Sequence, residues 1–130
     1  MPTVTPHATD HEGLAPLACR YVNVDDLPWT PTKYEGVDIK ILLENKETGL
    51  LTALFRWAPG AELPYHEHVQ IEQTYVLEGS LADHEGEVTA GNYVWRPAGS
   101  RHTARAPNGA LVLSFFLSPN RFLDEQEPPG

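Results

Sequence analysis

Four side chains of the kinds that bind metals lie in two short stretches of the second half of the chain: His66, His68, Glu72 and His102. Imidazole and carboxylate groups are the usual protein ligands of divalent transition metals. Residues two apart point to the same face of a β-strand, so His66 and His68 can approach one ion from a single strand. Glu72 and His102 would come from neighbouring strands. Ligands from three strands converge only if the sheet curls, as it does in a barrel.

Short strands separated by turn residues account for most of the remaining sequence. Residues 37–43 have apolar side chains at alternate positions, and residues 74–77 are rich in β-branched and aromatic side chains. Gly and Pro punctuate the chain, and no helical period runs long enough to compete. The pattern predicts an all-β sandwich or barrel. The predicted strands are residues 21–24, 37–43, 50–57, 74–77, 92–96 and 110–117.

Composition divides the 130 residues into three parts. Residues 1–18 mix Pro, Thr, His and Asp without a period, and we expect a flexible N-terminal arm there. Residues 19–118 carry the predicted strands and are expected to form one β-barrel domain, which suits a chain of this length. Residues 119–130 are predicted to be a C-terminal tail.

Charge and composition exclude several classes of partner. Acidic residues outnumber basic ones by 18 to 9, which gives a formal net charge of −9. Phosphate binding needs a basic face, so we expect no nucleic acid and no membrane as a partner. The single cysteine, Cys19, can form no internal disulfide. Since neither a transmembrane run nor a signal-peptide pattern is present, we expect a cytoplasmic protein.

The two ligand-bearing stretches resemble the two sequence motifs of the cupin family. The residues that match the first motif are Gly60, His66, His68, Glu72 and Gly79. Those that match the second are Gly91, Pro97, Gly99 and His102, and Ala106 stands where the family often has Asn. The resemblance implies the cupin double-stranded β-helix, a jelly-roll barrel. It also implies one divalent transition metal, with Fe(II) favoured and Zn, Mn or Ni as alternatives.

Strand parity separates the candidate site residues from their neighbours. Glu67 alternates with the two histidines and should point away from the metal. His84 falls in a predicted hairpin turn, and His7 and His11 fall in the arm, so we expect none of the three to be a ligand. Thr74 should face the interior. The residues predicted to line a pocket are Thr74, Arg56, Trp57, Trp95, Arg96 and Phe116. For Arg56 and Arg96, the alternative is a position on the solvated outer face.

Within the cupins, the chain is similar to small single-domain members. These include acetylacetone-cleaving and dihydroxyacetophenone dioxygenases and the cupin domain of ChrR-type anti-sigma factors. The resemblance implies a non-haem Fe(II) dioxygenase that acts on a small oxygen-chelating substrate, such as a diketone or a hydroxyaryl ketone. A non-catalytic ligand-binding or sensor cupin of the ChrR type and a metal-dependent isomerase or lyase are the alternatives. A homodimer is the expected assembly.

Overall fold

The computed structural model describes residues 17–123. The predicted N-terminal arm, residues 1–18, therefore lies almost wholly outside the described residues, as does most of the predicted tail. The described segment has no helix with the length and apolarity that crossing a bilayer requires. Its strands are β1 (Thr30–Pro31), β2 (Val37–Asn45), β3 (Leu50–Trp57), β4 (Glu62–Glu67), β5 (Glu72–Ala82), β6 (Glu87–Thr89), β7 (Tyr93–Arg96), β8 (Arg101–Arg105), β9 (Ala110–Phe116) and β10 (Arg121–Phe122).

The strands form one curled antiparallel sheet in the order β1-β2-β3-β9-β5-β8-β4-β10. The longest strand, β5, belongs to both halves of it. Residues 72–79 pair with β9, and residues 72–75 pair with β7 on the other side. Residues 80–82 pair instead with β6, and Ala82 pairs with β8. The sheet can therefore curl around an interior, as the all-β prediction requires.

Alternation along β5 decides which side chains face that interior. Thr74 and Val76 are buried, whereas Tyr75 and Leu77 between and beyond them are exposed. This confirms the predicted parity, because successive side chains of a strand point to opposite faces. Val112 of β9 is paired with Val76 and is also buried, so the two valines join the centre of the hydrophobic core.

One predicted strand is absent from the structure, and one observed strand lies where a tail was predicted. Residues 21–24 form no strand, and a single 3-10 turn covers Val24–Asp26. Strand β10 lies inside the predicted C-terminal tail, where Arg121 and Phe122 pair with Glu67 and His66 of β4. A two-residue strand is too short to show a sequence period, and its pairing depends on contacts distant in the sequence.

Exposed aromatic side chains cluster on the outer face of the half of the sheet that contains β5, β7 and β9. Tyr75 is paired with Tyr93, and Gln73 is paired with both Trp95 and Phe115. The four aromatic residues are all exposed. Contiguous apolar surface of this kind is typical of interfaces. The expected homodimer stays a prediction.

Gly79 lies where β5 leaves one half of the sheet for the other. Its φ is +72°, a region that favours glycine, and a Cβ there would collide with the carbonyl oxygen of Gly109. The same Cβ would lie 2.8 Å from the carbonyl carbon of Gly109 and 2.9 Å from the Cα of Ala110. These are backbone atoms of the paired turn and strand, which cannot move aside as a flexible side chain can.

We expect Gly79→Ala to lower the free energy of unfolding by more than about 3 kcal/mol, since it adds a backbone collision to an unfavourable φ. Gly91→Ala is the matched control, because Gly91 has φ +83° and open space around its Cβ position. That variant should cost only about 1 kcal/mol. Urea unfolding followed by circular dichroism measures both. Equal losses would contradict the close approach.

Candidate metal centre

Three histidines meet inside the barrel. His66 of β4 is paired directly with His102 of β8, and His68 follows one residue after the end of β4. One ligand nitrogen from each ring lies within 4.8 Å of those of the other two, and all three side chains are buried. The Nε2 atoms of His68 and His102 are 2.9 Å apart. The structure thus brings together three of the four predicted ligands as one cluster.

Backbone contacts around the second motif fix His68 in this cluster. Its N–H donates to the carbonyl oxygen of Ser100 over 2.9 Å, and its carbonyl accepts from the N–H of Gly99 over 2.7 Å. Gly99 has φ +88° and closes the turn before β8. A break in the register between Leu63 and His66 adjusts β4 so that His66 faces inward. The Pro-x-Gly turn therefore positions His68 and leads into the strand of His102.

Hydrogen bonds at Nδ1 determine which nitrogen of two rings is available. The Nδ1 of His66 lies 2.8 Å from the carbonyl oxygen of Pro64, and the Nδ1 of His102 lies 2.7 Å from Asp83 Oδ2. Both partners are acceptors, so each neutral ring carries its proton on Nδ1. The Nε2 lone pairs are then free to bind a metal, in the arrangement that protein metal sites commonly use.

The cluster suits a cation because not every ring nitrogen in it has a hydrogen-bond partner among the described residues. Nε2 of His68 faces the Nε2 lone pair of His102, and Nδ1 of His68 lies 3.0 Å from Glu72 Oε1. This second contact does not have the geometry of a hydrogen bond, and Nδ1 of His68 has no hydrogen-bond partner among the described residues. Two nitrogens that each lie roughly 2.1 Å from one ion are at most about 4 Å apart. The 2.9 Å separation, which is that of a hydrogen bond between the two rings, is also close enough for both nitrogens to bind one ion.

Burial keeps His66 and His102 in the neutral form that binds metals. Desolvation lowers the pKa of His66 to about 4, although the hydrogen bond to Pro64 opposes it. Desolvation also lowers the pKa of His102, although the hydrogen bond that its ring donates to Asp83 opposes this effect. Both rings are consequently uncharged at pH 7, and no proton has to be displaced from either of them before a metal binds.

Glu72 lies beside the cluster at the start of β5. Its Oε1 faces His68, and its Oε2 accepts a hydrogen bond of 2.9 Å from the hydroxyl of Thr74. Burial alone would raise the pKa of the carboxyl, but the contacts with His68 and Thr74 lower it below its usual value. An ionised carboxylate therefore adjoins the three rings. Direct coordination of a metal by Glu72 stays a prediction.

A cavity of about 260 Å³ opens from the histidine cluster. His66, His102 and Glu72 line it, and most of the remaining wall is apolar. Of the six predicted pocket residues, four line this cavity: Thr74, Trp57, Arg96 and Phe116. The alternative prediction for Arg96 was a position on the solvated outer face. Its side chain is instead only 18% exposed.

Arg56 and Trp95, predicted to line the pocket, lie elsewhere. The guanidinium of Arg56 is on the outer face, where it pairs with Asp38 over 3.2 Å and stacks over Trp29. Trp95 is 59% exposed. Arg56 and Trp95 each lie next to a residue whose side chain faces inward. Because successive side chains of a strand point to opposite faces, these two point outward.

The remaining titratable residues named from the sequence lie away from the cluster. Glu67 binds Arg101 and Arg121 near the surface, as its parity predicted. His84 is exposed in the turn between β5 and β6, Cys19 is exposed, and His7 and His11 lie outside the described residues.

Two residues near the histidines were not foreseen. Asp83 accepts a hydrogen bond from His102, and the ring of Phe122 packs 5.1 Å from that of His66. No motif marks either position in the sequence.

Comparison with known proteins places these features in a family. Residues 18–119 match the ChrR cupin-like domain. The chain belongs to this cupin family. Among curated proteins, none matches this cupin in sequence.

Solved structures share the fold of this cupin. A protein assigned as an acetylacetone dioxygenase from Methylibium petroleiphilum superimposes with a TM-score of 0.78 at 24% identity, over 88% of each chain. An acetylacetone dioxygenase from Acinetobacter johnsonii gives 0.73 at 21% identity, over 85% of this chain and 82% of its own. ChrR of Rhodobacter sphaeroides, solved with SigE, gives 0.61 at 25% identity, over 72% of this chain and half of its own. The predicted cupin barrel is thereby confirmed.

Removing two rings of the cluster should abolish metal binding. We expect wild-type protein to bind close to one divalent ion per chain and the double variant His66→Ala, His68→Ala to bind none, since one imidazole is left. Elemental analysis after dialysis measures the ion content, and circular dichroism confirms folding. His84→Ala, which removes an exposed histidine, should retain the ion. A folded double variant with a full complement of metal would rule out the site.

The charge of Glu72 should contribute to affinity. Glu72→Gln is expected to weaken binding of Co²⁺ or Zn²⁺ by about tenfold or more, because the carboxylate offsets one of the ion's two charges within a buried site. Competition with a chromophoric chelator measures the affinity, and the Co²⁺ absorption spectrum reports the coordination geometry. Glu62→Gln, at the exposed start of β4, is the charge-matched control. Unchanged affinity and an unchanged spectrum would show that Glu72 is not a ligand.

Proposed function

We propose that the protein is a non-haem Fe(II) dioxygenase that acts on a small oxygen-chelating substrate, such as a diketone or a hydroxyaryl ketone. His66, His68 and His102 would hold the iron, with Glu72 as a fourth ligand from the start of β5. Of the six positions of an octahedral ion, three histidines would leave three, enough for a bidentate substrate and O₂, whereas Glu72 as a fourth ligand would leave two, enough for the bidentate substrate alone. Iron, when bound, supplies the electron-transfer chemistry that lets O₂ react with an electron-rich substrate.

The observation that carries this proposal is the position of the histidines on the wall of a small, mainly apolar cavity. His66 and His102 face a space of about 260 Å³ whose walls include Phe55, Val112 and Phe116. Apolar walls exclude water and favour a ligand that is itself compact and mostly apolar. A metal with a purely structural role would need no such space beside it.

The polar groups of the cavity are few and can orient a substrate. The hydroxyls of Thr74 and Ser114 are 2.8 Å apart, and Thr74 also donates to Glu72. Because Thr74 has one hydrogen and gives it to the carboxylate, Ser114 must donate to Thr74. Ser114 thus offers acceptor lone pairs, while Arg96 lines another part of the wall with a guanidinium donor. A chelating substrate would place its charge between the cluster and Arg96.

The fold is shared with an acetylacetone dioxygenase and with a protein assigned as one, so this scaffold can carry such a reaction. At 24% and 21% identity, that similarity concerns the fold. The substrate is therefore argued from the cavity: a diketone or a hydroxyaryl ketone presents two oxygens to one ion and an apolar remainder to the walls.

A ligand-binding sensor is the second candidate, and the family match favours it. ChrR, which shares that family description, was solved in complex with SigE. The chain spans half the length of that ChrR chain. As a sensor, the same cavity would bind its ligand without turnover. A metal-dependent isomerase or lyase would instead convert the ligand without O₂.

Oxygen consumption separates these functions. We expect Fe(II)-loaded protein to consume O₂ with acetylacetone or a 2-hydroxyaryl ketone, and Zn(II)-loaded protein to consume none, since zinc has no accessible redox change. A monoketone of the same size, which cannot chelate, is the matched substrate control and should be inert. An oxygen electrode measures the rates. Equal turnover of a substrate under strict anaerobiosis would show an isomerase or lyase, and tight binding without turnover would favour the sensor.

A further inference from the structure

Asp83 is a buried carboxylate that accepts hydrogen bonds at both oxygens. It lies one residue beyond the end of β5, and its side chain is 1% exposed. Oδ2 lies 2.7 Å from Nδ1 of His102 and 2.6 Å from a guanidinium nitrogen of Arg96. Oδ1 accepts the backbone N–H groups of Glu85 and Gly86, over 2.8 and 3.1 Å. One side chain thus joins the turn after β5, the histidine cluster and the cavity wall.

We propose that Asp83 is a positioning residue of the metal centre, which holds His102 as the Nδ1–H tautomer with Nε2 directed at the metal. The inference rests on the proposed metal site and adds to it a residue that lies outside both sequence motifs. The carboxylate is the only hydrogen-bond partner of His102 Nδ1 among the described residues. Without an acceptor there, the neutral ring can place its proton on Nε2, the nitrogen that must be bare to bind a metal.

The contacts of Asp83 show that it does more than stabilise the turn after β5. The turn needs only Oδ1, since both backbone donors are bound by that oxygen. Oδ2 is directed to His102 and Arg96 instead, and an Asp in a simple turn requires neither contact. Nδ1 of His66 is hydrogen-bonded to a backbone carbonyl, that of Pro64, and Nδ1 of His68 has no hydrogen-bond partner among the described residues. His102 is thus the ring of the cluster whose Nδ1 hydrogen bond is made by a side chain, which can be replaced.

Arg96 balances the charge of Asp83. Its guanidinium contacts the same oxygen as His102, so the pair brings a carboxylate to the centre without adding net charge. Burial raises the pKa of the Asp83 carboxyl, but the hydrogen bonds that it accepts from His102 and the turn, together with the positive charge of Arg96, lower the pKa below its usual value. The guanidinium of Arg96 and the two backbone N–H groups of the turn can only donate, so the carboxyl oxygens of Asp83 act as acceptors and accept from His102 as well.

Two substitutions of Asp83 test the proposal. Asp83→Asn keeps the shape and loses the charge, and its amide cannot satisfy all four donors. Asp83→Ser can still accept a backbone N–H of the turn but is too short to reach His102. We expect each to weaken Zn²⁺ or Co²⁺ binding by about 10- to 100-fold, the usual effect of losing such a partner. Asp38→Asn, which removes an exposed ion-paired carboxylate on the outer face, should leave the affinity unchanged.

A second measurement needs no metal. Long-range ¹H–¹⁵N spectra of the imidazole nitrogens in metal-free protein report the tautomer of His102. We expect the Nδ1–H form in the wild type and a substantial Nε2–H population in Asp83→Ser. The proposal is overturned if both folded variants keep wild-type affinity, or if His102 keeps the Nδ1–H form in both. If the wild-type protein binds no metal, the proposed metal centre is refuted. The tautomer of His102 can still be measured in that case, because the measurement uses metal-free protein.

Discussion

A single strand, β5, belongs to both halves of the curled sheet, and the candidate centre depends on that crossing. The change of partners occurs at Gly79, where a Cβ would collide with the carbonyl of Gly109. Glu72 begins this strand, and Asp83 follows its end. One crossing strand therefore brings a carboxylate beside His68 and another beside His102. The histidines come from elsewhere in the sheet, but the acidic groups around them are set by the path of β5.

Much of the ligand cluster could be predicted because it is local in sequence. Strand parity places His66 and His68 on one face, and the Pro-x-Gly turn that binds His68 also introduces the strand of His102. The same parity placed Thr74 and Val76 inside and Tyr75 and Leu77 outside, as observed. Alternation is a property of the pleat, so a run of a few residues suffices to predict it.

Strand parity also explains why Arg56 and Trp95 do not line the cavity as predicted. Trp95 and Arg96 are adjacent in one strand, as are Arg56 and Trp57, so both members of a pair cannot line one cavity. Arg96 and Trp57 are the members that face inward. By contrast, Asp83 and Phe122 could not have been foreseen. Asp83 reaches His102 across 19 positions, and Phe122 reaches His66 through a two-residue strand, so both contacts depend on the tertiary fold.

The distribution of ionisable groups limits the chemistry available in the cavity. Those that line it among the described residues are Tyr34, His66, Glu72, Arg96 and His102. His66 and His102 belong to the histidine cluster, and Glu72 contacts it. Arg96 is linked to His102 through Asp83. Proton transfer by a side chain independent of the centre is thus confined to Tyr34, a phenol, which is not a typical general base. The proposed reaction would therefore draw on an ion held by the histidines and on the acidity of the substrate's own chelating oxygens, which favours a substrate that binds as an enolate or phenolate.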